Sequence, residues 1–422
     1  MSHLSFLNLY DLYVSFLSKK KFKTMKTLLP IEKRNAVLSR MAVLLEQERA
    51  TIKTTNQQDL ANYSGDDLAM EKRLLVDDNK IDAMILSLQQ LTSQDDPVGQ
   101  VRFNFTHDNG LKISNKTAAF GTILIIYESR PDVTVEAGGI AFKSGNRILL
   151  KGGKESLLSN LKIVSLWHQA LTDSEVATSW VEYLNYDRTE TQAFLEKPTQ
   201  KVDLIVPRGG ENLINFVKKH ATCPVIVSGR GNNFVYVNKE ADLDKALSII
   251  INGKTSNISV CNALDKVLID TNLENWEAFA QKVITELQQR NVLVLGDESI
   301  AKATNVPQIE SDLIWHEEFL DYKIVIGTTN SDKEAIEKIN KYCGGHSASI
   351  ITKNDTVAQE FMENVDTAAV YQNASTRFTD GGQLGLGGEL AISTDKLHQR
   401  GPIGLQHLVT NKWYIYGEGQ IR

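Results

Sequence analysis

Short apolar runs alternate with helical segments over most of this chain, and that alternation limits the fold more than any other feature. The run GTILIIY at residues 121–127 is apolar without interruption, which is typical of a strand buried on both faces. Similar runs follow along the chain: RILLK (147–151), DLIVP (203–207), PVIVS (224–228), NFVYVN (233–238), KVLID (266–270), NVLVLG (291–296), KIVIG (323–327) and AAVYQNAS (368–375). Strands that alternate with helices form parallel sheets, so the pattern predicts an α/β fold. A second unit begins near residue 242, and 422 residues are too many for one ordinary core, so we expect two parallel-sheet domains.

The first hundred residues have a different character. Residues 31–93 place apolar side chains at three- and four-residue intervals, which predicts helix. Pro97 and Gly99 end that pattern. Residues 100–118 then alternate loosely between polar and apolar around an Asn-Gly pair, which indicates a β-hairpin.

The amino-terminal residues do not fit a secretion signal. In LSFLNLYDLYVSFL followed by KKKFKTMK, the positive charges come after the apolar run, whereas a signal peptide places them before it. The run is also too short to span a bilayer. We expect residues 1–26 to be a dispensable leader, from a start assigned upstream of Met25, with a weak amphipathic anchor as the alternative.

Charge, cysteine content and failed motifs exclude several classes of function. A net charge of −6 argues against a general nucleic-acid binder. Cys223, Cys261 and Cys343 form neither a disulfide framework nor a metal-ligand spacing, so we expect no metal and a reducing, cytoplasmic setting. INGKTS has Ser248 where a P-loop needs its first glycine, and GRGNNF has Phe234 where the dinucleotide fingerprint needs its third.

Glycine and arginine recur directly after four of the predicted strands. The four loops are ESRPDVT (128–134), GGKES (152–156), RGGEN (208–212) and TRFTDGGQLGLGGE (376–389). Ligands bind at the carboxyl ends of parallel strands, and glycine lets the backbone approach an anion at the start of a helix. The four loops together are better evidence of a binding site than any one of them.

Cys261 lies in the polar segment SNISVCNALDK, residues 256–266. Free cysteines are usually small buried side chains, which is one interpretation. The serine and asparagine neighbours argue against an apolar site, so a nucleophile is the other. Cys223, before a strand, and Cys343, at the end of a helix, fit the buried interpretation better.

Four longer segments resemble a known family. They are YESRPDVTVEAGGIAFKSGNRILLKGGKES (127–156), VPRGGENLI (206–214), NGKTSNISVCNAL (252–264) and the block from YQNASTRFTDGG to the end (371–422). The segments are similar to the gamma-glutamyl phosphate reductases, a family of the aldehyde dehydrogenase superfamily, and the resemblance covers roughly residues 30–422. It implies NADPH-dependent reduction of L-glutamyl 5-phosphate to L-glutamate 5-semialdehyde and phosphate, the second step of proline biosynthesis.

The resemblance also implies an aldehyde dehydrogenase-like architecture: two parallel-sheet α/β domains plus a small extension. The implied parts are an NADPH-binding domain (27–100 and 119–240), a catalytic domain (241–371), a return segment to the cofactor domain (372–392) and an oligomerisation extension (101–118 and 393–422). The family acts on a small molecule, forms homo-oligomers and suggests an association with glutamate 5-kinase; it gives no reason to expect a nucleic-acid or membrane partner.

The family's chemistry assigns roles at the matching positions. Cys261 would attack the acyl carbon as a thiolate and expel phosphate, leaving a thioester. Asn262, with backbone N–H groups beside the cysteine, would stabilise the oxyanion. Because the substrate carries a phosphate and an α-carboxylate, Arg130, Arg377 and Arg400 are implied as its cationic partners.

A further set of positions is implied to bind NADPH. Lys151, after a strand, would reach the adenosine ribose or its phosphate. Gly209 and Gly210 match the turn over the pyrophosphate, at the start of a helix. Glu317 or Glu318 resembles the glutamate that holds the nicotinamide ribose, although a solvated acidic cluster is an equal alternative.

Two loops depart from the family pattern. Asn257 and Ile258 stand where the family has Arg-Pro before the cysteine. Asn233, Phe234 and Asn238 replace Cys, His and Asp in the other loop. These departures leave two alternatives open: a related aldehyde or acyl-phosphate oxidoreductase with another substrate, and a non-catalytic subunit that has kept the fold.

Overall fold

The structure, a computed structural model, describes residues 28–65 and 68–422. The predicted leader at residues 1–26 lies outside the described residues. Within the two described ranges, no helix is both long enough and apolar enough to cross a bilayer.

The amino-terminal region is helical, which confirms the prediction for residues 31–93. Its helices are α1 (Ile31–Gln47), α2 (Arg49–Asn62), α3 (Leu68–Leu74) and α4 (Asp78–Ser93). Leu38, Met41 and Leu45 of α1 are fully buried at helical spacing and join the core beneath the first parallel sheet. Asp77 accepts a hydrogen bond from the Lys80 N–H and so caps the start of α4.

A hairpin and the carboxyl-terminal strand form a small antiparallel sheet. Its strands are β1 (Val101–Thr106), β2 (Lys112–Ala119) and β15 (Val409–Tyr416). Just before β15, the short strands β13 (Ile392–Ser393) and β14 (Gly401–Pro402) pair with each other. The turn closes with a hydrogen bond from the His107 N–H to the Leu111 carbonyl, and Gly110 adopts a φ of +88°, so the predicted hairpin is confirmed. The sheet joins segments 101–118 and 393–422, and a role for it in oligomerisation stays a prediction.

The first parallel sheet has the strand order β5–β4–β3–β6 in the described part of the chain. Its elements are β3 (Thr122–Tyr127), β4 (Arg147–Lys151), β5 (Val181–Tyr183) and β6 (Leu204–Arg208), with α5 (Val133–Lys143), α6 (Leu157–Asp173), α7 (Arg188–Glu196) and α8 (Glu211–His220). Ile123 and Ile125 of β3 pack toward α5 and α6, and Leu124 and Ile126 toward α7 and α8. Both faces of β3 are therefore covered, as its uninterrupted apolar run predicts.

The strand predicted at residues 224–228 is wrong. Val225 forms only an isolated parallel bridge with Ile205. The pairing is limited to hydrogen bonds from the Ile205 N–H to the Pro224 carbonyl and from the Ile226 N–H to the Ile205 carbonyl. Proline has no N–H to donate, so the segment cannot extend this ladder at its start.

The second parallel sheet has the order β12–β11–β7–β8–β10–β9 within the described residues. Its elements are β7 (Asn233–Val237), β8 (Leu264–Asp270), β9 (Leu293–Gly296), β10 (Lys323–Thr329), β11 (Ser347–Ile351) and β12 (Ala369–Gln372), with α9 (Leu243–Thr255), α10 (Trp276–Gln288), α11 (Glu298–Thr304), α12 (Asp332–Tyr342) and α13 (Asp355–Asn364). Two parallel-sheet α/β units are thus confirmed.

Strand β11 was missed by the sequence analysis. Ser347 and Ser349 interrupt its apolar run, yet both side chains are fully buried. They can be buried because the Ser347 hydroxyl pairs with the Thr379 hydroxyl and the Ser349 hydroxyl donates to the Ala374 carbonyl.

Candidate active site

A cleft of about 1510 Å³ opens at the carboxyl ends of β3 and β6 and faces the Cys261 loop. Its wall includes residues from the segments 128–130, 207–211, 256–262, 317–320 and 377–383. Three of the four glycine- and arginine-containing loops therefore meet in one place. The fourth, residues 152–156, does not line the cleft.

Gly231 and Asn233, just before and at the start of β7, hold the Cys261 backbone in place. A Cβ atom at Gly231 would lie 1.7 Å from the Cys261 carbonyl oxygen, so only glycine permits this approach. The buried Asn233 amide nitrogen donates to the carbonyls of Gly231 (2.8 Å), Cys261 (2.8 Å) and Ala263 (2.6 Å). One departure from the family pattern, Asn233, thus holds the loop that carries the candidate nucleophile.

The Cys261 thiol is half-buried and keeps its proton at neutral pH. Burial, with smaller contributions from the carboxylates of Glu389 and Glu318, raises its pKa to about 12, and the Arg208 guanidinium opposes that rise. Since the thiolate is the nucleophilic form, attack requires that a neighbouring group take the thiol proton.

His346 contacts the sulfur directly. Its Nε2 lies 3.2 Å from Cys261 Sγ, and its Nδ1 lies 2.7 Å from the Ser347 hydroxyl. The imidazole is fully buried, which lowers its pKa to about 4, so the ring is neutral at pH 7. This contact is not predicted from the sequence, because the serines in β11, the strand that places His346, interrupt its apolar pattern.

Asn262 holds a turn. Its Nδ2 donates to the carbonyls of Arg377 (3.2 Å) and Thr379 (3.0 Å). Both hydrogens are committed to backbone oxygens, so the arrangement differs from the oxyanion donor that the resemblance implied. The Cys261 backbone N–H lies against its own sulfur and is the better-placed donor.

Two of the three predicted arginines line the cleft. Arg130 is partly exposed, and its Nη2 lies 3.6 Å from the Asp132 carboxylate. Arg377 Nε donates to the Ser256 hydroxyl (3.0 Å), while its buried Nη1 has no hydrogen-bond partner among the described residues. A buried guanidinium nitrogen without a partner favours an incoming anion.

The third predicted arginine, Arg400, is engaged elsewhere. Its Nη1 and Nη2 donate to the side chain (2.6 Å) and the backbone carbonyl (2.9 Å) of Asp366. Arg400 does not line the cleft, so the structure does not bring it together with Arg130 and Arg377.

Arg208 and Glu389 were not singled out from the sequence, and both line the cleft near Cys261. The Arg208 guanidinium makes no hydrogen bond or ion pair with any residue that the structure describes. Burial, followed by the nearby Arg130 guanidinium, lowers its pKa, and the carboxylates of Glu389 and Glu136 oppose that lowering. The RGGEN loop after β6 was the available signal for Arg208.

The start of α8 has the properties of a pyrophosphate site. The Gly210 N–H donates to the Glu128 carboxylate (2.9 Å), and a Cβ at Gly209 would lie 2.5 Å from the carboxyl carbon of Glu128. This helix terminus already attracts an anionic group, so its geometry fits the phosphates of a dinucleotide. Lys151 lies outside the cleft lining, and its Nζ donates to the Gly152 carbonyl (2.9 Å).

Glu317 and Glu318 both reach the cleft. Lys266 Nζ donates to the Glu317 backbone carbonyl (2.7 Å), while the Glu317 carboxylate lies 3.7 Å from Lys323 Nζ. Burial raises the pKa of Glu318, and this carboxylate is close enough to Cys261 to affect the thiol. Of the two, Glu318 is therefore nearer to the reacting atoms.

The other departures from the family pattern divide into two groups. Asn257 lines the cleft. Phe234 and Asn238 are fully buried: Phe234 stacks on Trp315 with 6.2 Å between ring centroids, and Asn238 donates to Asp332 (2.7 Å). Among the described residues, no group of three or more His, Cys, Asp or Glu side chains could hold a metal ion.

Comparison with known proteins places the chain in a family. Residues 17–313 match the aldehyde dehydrogenase family. A gamma-glutamyl phosphate reductase from Clostridium botulinum (strain Eklund 17B) is 42% identical over 393 residues, which cover 93% of this chain and 94% of that protein. The gamma-glutamyl phosphate reductase of Lachnospira eligens is 42% identical over 400 residues, or 93% of this chain and 95% of the relative.

Solved structures agree with this placement. The crystal structure of gamma-glutamyl phosphate reductase from Thermotoga maritima superposes with a TM-score of 0.89 at 40% identity, covering 93% of this chain and 95% of the other. The expectation of an aldehyde dehydrogenase-like fold is thereby confirmed.

Proposed function

Because the chain belongs to the aldehyde dehydrogenase family and, within it, to the gamma-glutamyl phosphate reductases, we propose that it reduces L-glutamyl 5-phosphate to L-glutamate 5-semialdehyde and phosphate in proline biosynthesis. The observation that carries this proposal is the position of Cys261 in a cleft with Arg130, Arg208 and Arg377. A nucleophile in a cleft with three arginines suits an acyl donor that bears a phosphate and a carboxylate.

Cys261 performs the covalent step. Its sulfur attacks the acyl carbon of the substrate, the bond to phosphate breaks, and the glutamyl group stays on the enzyme as a thioester. An acyl phosphate is an activated donor, so the leaving group needs no acid to protonate it. The Cys261 backbone N–H, beside the sulfur, stabilises the charge that develops on the acyl oxygen.

The arginines orient the substrate. Among the described residues, Arg377 Nη1 and the Arg208 guanidinium have no hydrogen-bond partner, and both side chains lie within electrostatic reach of Cys261. These two arginines are therefore placed to bind the departing phosphate. Arg130 lies beside Arg208 and is available to the α-carboxylate. Charge-assisted hydrogen bonds of this kind contribute about 1.5–3 kcal/mol each.

NADPH is the proposed cofactor, and when bound it supplies the hydride that reduces the thioester. The α8 start at Gly209 and Gly210 would hold the pyrophosphate, with the Glu128 carboxylate moving off the Gly210 N–H. Lys151 would contact the adenosine ribose or its 2′-phosphate, and Glu318 the nicotinamide ribose.

The three-stranded sheet is the proposed oligomerisation element. Phe103, Phe105, Trp413 and Ile415 are each about half exposed, which is unusual for large apolar side chains on one small sheet. A Phe103→Asp/Trp413→Ser double variant should shift the protein to a smaller species in light scattering. An unchanged mass would reject this role.

The proposal also includes a cellular location and a protein partner. The three free cysteines are consistent with a reducing cytoplasmic setting. Association with glutamate 5-kinase rests on family membership alone, and size-exclusion chromatography of the two purified proteins together tests it.

The proposed activity is tested in the oxidative direction. Glutamate semialdehyde, phosphate and NADP⁺ should yield NADPH in the presence of the protein, and NAD⁺ should be used less well. Omission of phosphate should stop the reaction after one turnover, because the thioester then has no acceptor. Absence of any NADPH formation with fully reduced protein would reject the proposal.

A related oxidoreductase with another substrate is the second candidate, and Asn257 favours it. This residue lines the cleft where the family has arginine, so one cation is missing from the wall. If Asn257→Arg raised kcat/KM for glutamate semialdehyde while another aldehyde served the wild type better, this candidate would be preferred.

A further inference from the structure

Four polar side chains form a continuous hydrogen-bonded row behind the Cys261 sulfur. His346 Nε2 lies 3.2 Å from Sγ, and His346 Nδ1 lies 2.7 Å from the Ser347 hydroxyl. The Ser347 hydroxyl lies 2.7 Å from the Thr379 hydroxyl, which in turn lies 2.7 Å from the Tyr371 phenol. Every link is within hydrogen-bond distance, and every member can both donate and accept a proton.

The row runs from the floor of the cleft to the edge of the second sheet. His346, Ser347 and Thr379 are fully buried. Tyr371 is half-buried on β12, which is the edge strand of that sheet. The buried members are neutral and the last member reaches solvent, so the row connects the sulfur with water by a route that avoids the cleft.

We infer that His346 is the base that takes the Cys261 thiol proton, and that Ser347, Thr379 and Tyr371 exchange this proton with solvent at the sheet edge. The inference rests on the proposed function for the identity of the reaction, but the thiol–imidazole contact itself does not depend on the substrate. We call the three hydroxyl residues the hydroxyl row.

The proton balance of the reaction requires such a route in both directions. When the C–S bond forms, the S–H bond breaks and the proton moves to His346 Nε2. At the same time the Nδ1–H passes to Ser347 Oγ, so the ring changes tautomer and stays neutral, and successive O–H shifts through Thr379 release one proton at Tyr371. In the second half of the cycle, reduction of the thioester frees the sulfur as a thiolate, and one proton returns along the same row.

The charged groups near the sulfur lie on the cleft side. They are Glu389, Glu318, Arg208 and Arg377. Glu389 or Glu318 is the competing base, because either carboxylate could accept the thiol proton if it were ionised. Both are drawn toward the neutral form by burial, and neither forms a hydrogen bond to Cys261 in the described part of the chain, whereas His346 does.

The first experiment measures thiol reactivity without any substrate. The rate of iodoacetamide alkylation at Cys261, read by peptide mass spectrometry, is followed from pH 6 to 10 in wild type, His346→Gln and Glu389→Gln. We expect alkylation at pH 8 to fall about tenfold or more in His346→Gln and not to fall in Glu389→Gln, because the Glu389 carboxylate raises the pKa of the thiol. The opposite ranking would assign the base to Glu389 and overturn the inference.

Turnover gives the second readout. A general base contributes roughly 10²–10⁴-fold, so kcat of His346→Gln should fall by that range while KM for the semialdehyde stays within threefold of wild type. Activity of the variant should rise with pH, since hydroxide then replaces the base. If kcat and its pH profile match wild type, the inference fails although the proposed function stands.

The hydroxyl row is tested with a matched pair at one buried position. Thr379→Val keeps the shape and removes the hydroxyl, whereas Thr379→Ser keeps the hydroxyl. We expect a lower kcat, about threefold to tenfold, and a changed solvent deuterium isotope effect in Thr379→Val and in Tyr371→Phe, with Thr379→Ser close to wild type. Tyr322→Phe, at an exposed position that does not line the cleft, serves as a control. Equal behaviour of Thr379→Val and Thr379→Ser would remove the hydroxyl row from the mechanism.

Discussion

The two sides of the Cys261 sulfur differ in charge, burial and hydrogen bonding. The cleft side carries Arg208, Arg377 and two carboxylates, which are partly solvated and only loosely paired. The sheet side carries His346 and the hydroxyl row, which are neutral and hydrogen-bonded at every link and are buried up to the half-buried Tyr371. Recognition and proton movement therefore have separate environments: loosely paired charges attract an anion, whereas a neutral, hydrogen-bonded row can pass a proton without storing charge.

Removal of the Cys261 sulfur, which both sides contact, should cause the greatest loss of activity. Cys261→Ala should reduce NADP⁺ reduction with semialdehyde and phosphate by about 10⁴-fold or more, because no covalent intermediate can form. Cys223→Ala is the matched control, since Cys223 packs under α8 away from the cleft, and it should retain full turnover. Substantial activity in Cys261→Ala would mean that the sulfur does not perform the chemistry on either side.

Loss of a positive charge on the cleft side should weaken substrate binding more than it changes the reactivity of the Cys261 sulfur. Arg377→Met and Arg208→Met should each raise KM for phosphate or semialdehyde by about 10–100-fold, the equivalent of one charge-assisted hydrogen bond. Alkylation of Cys261 by iodoacetamide should change much less. A loss confined to kcat would contradict the division between the two sides.

The family resemblance and the observed geometry predict different roles for Arg400. The family pattern makes it a substrate ligand, whereas the structure pairs it with Asp366. On the geometry, Arg400→Met should change KM for either substrate by less than about threefold, since exposed ion pairs contribute little. A tenfold rise in KM measured in the same assay would show that Arg400 leaves Asp366 to bind substrate.

Asn233 links the two sides by fixing the backbone between them. Asn233→Ala would leave the carbonyls of Gly231, Cys261 and Ala263 without their donor, which should lower the free energy of unfolding by about 1–3 kcal/mol. The Cys261 sulfur would also shift relative to His346 Nε2, so kcat should fall about tenfold. Thermal unfolding and turnover check both; a variant that unfolds earlier yet keeps full kcat would make Asn233 purely structural.

A small change in thermal stability should follow from the ionisation of Glu136, which interacts with Arg130 and Arg208 of the cleft wall. Burial, with Asp132, raises the pKa of Glu136 to about 7, against the pull of Arg130 and Arg208. A raised folded-state pKa contributes stability that is complete at low pH and lost as pH rises through 7. Glu136→Gln should therefore melt about 2 °C above wild type at pH 8 and at nearly the same temperature at pH 5. A difference of equal size at both pH values would exclude Glu136 ionisation as its cause.

Sequence alone predicted the scaffold better than it predicted the contacts. The uninterrupted run in β3 indicated a buried parallel strand because its two faces are covered by different helices. Strand β11 escaped because Ser347 and Ser349 are buried through specific hydroxyl contacts, and no periodicity records such a partner. The strand predicted at 224–228 was wrong because apolar composition cannot show that pairing stops after one bridge.

The sequence predicted those site residues that lie in loops directly after strands. Arg130, Arg377, Gly209 and Gly210 directly follow strands or belong to marked loops, and the structure brings them to one cleft. His346 was not predictable as a neighbour of Cys261, because 85 residues separate them and only the pairing of β11 with β7 brings the two together.

The proposed reaction depends on a covalent bond between Cys261 and the glutamyl group, and intact-peptide mass spectrometry tests that bond most directly. Protein incubated with glutamate semialdehyde and NADP⁺, without phosphate, and quenched in acid should carry one glutamyl group on the peptide that contains Cys261 and on no other. Turnover with no adduct at Cys261, or with the adduct at Cys343 in the same cleft, would contradict the account.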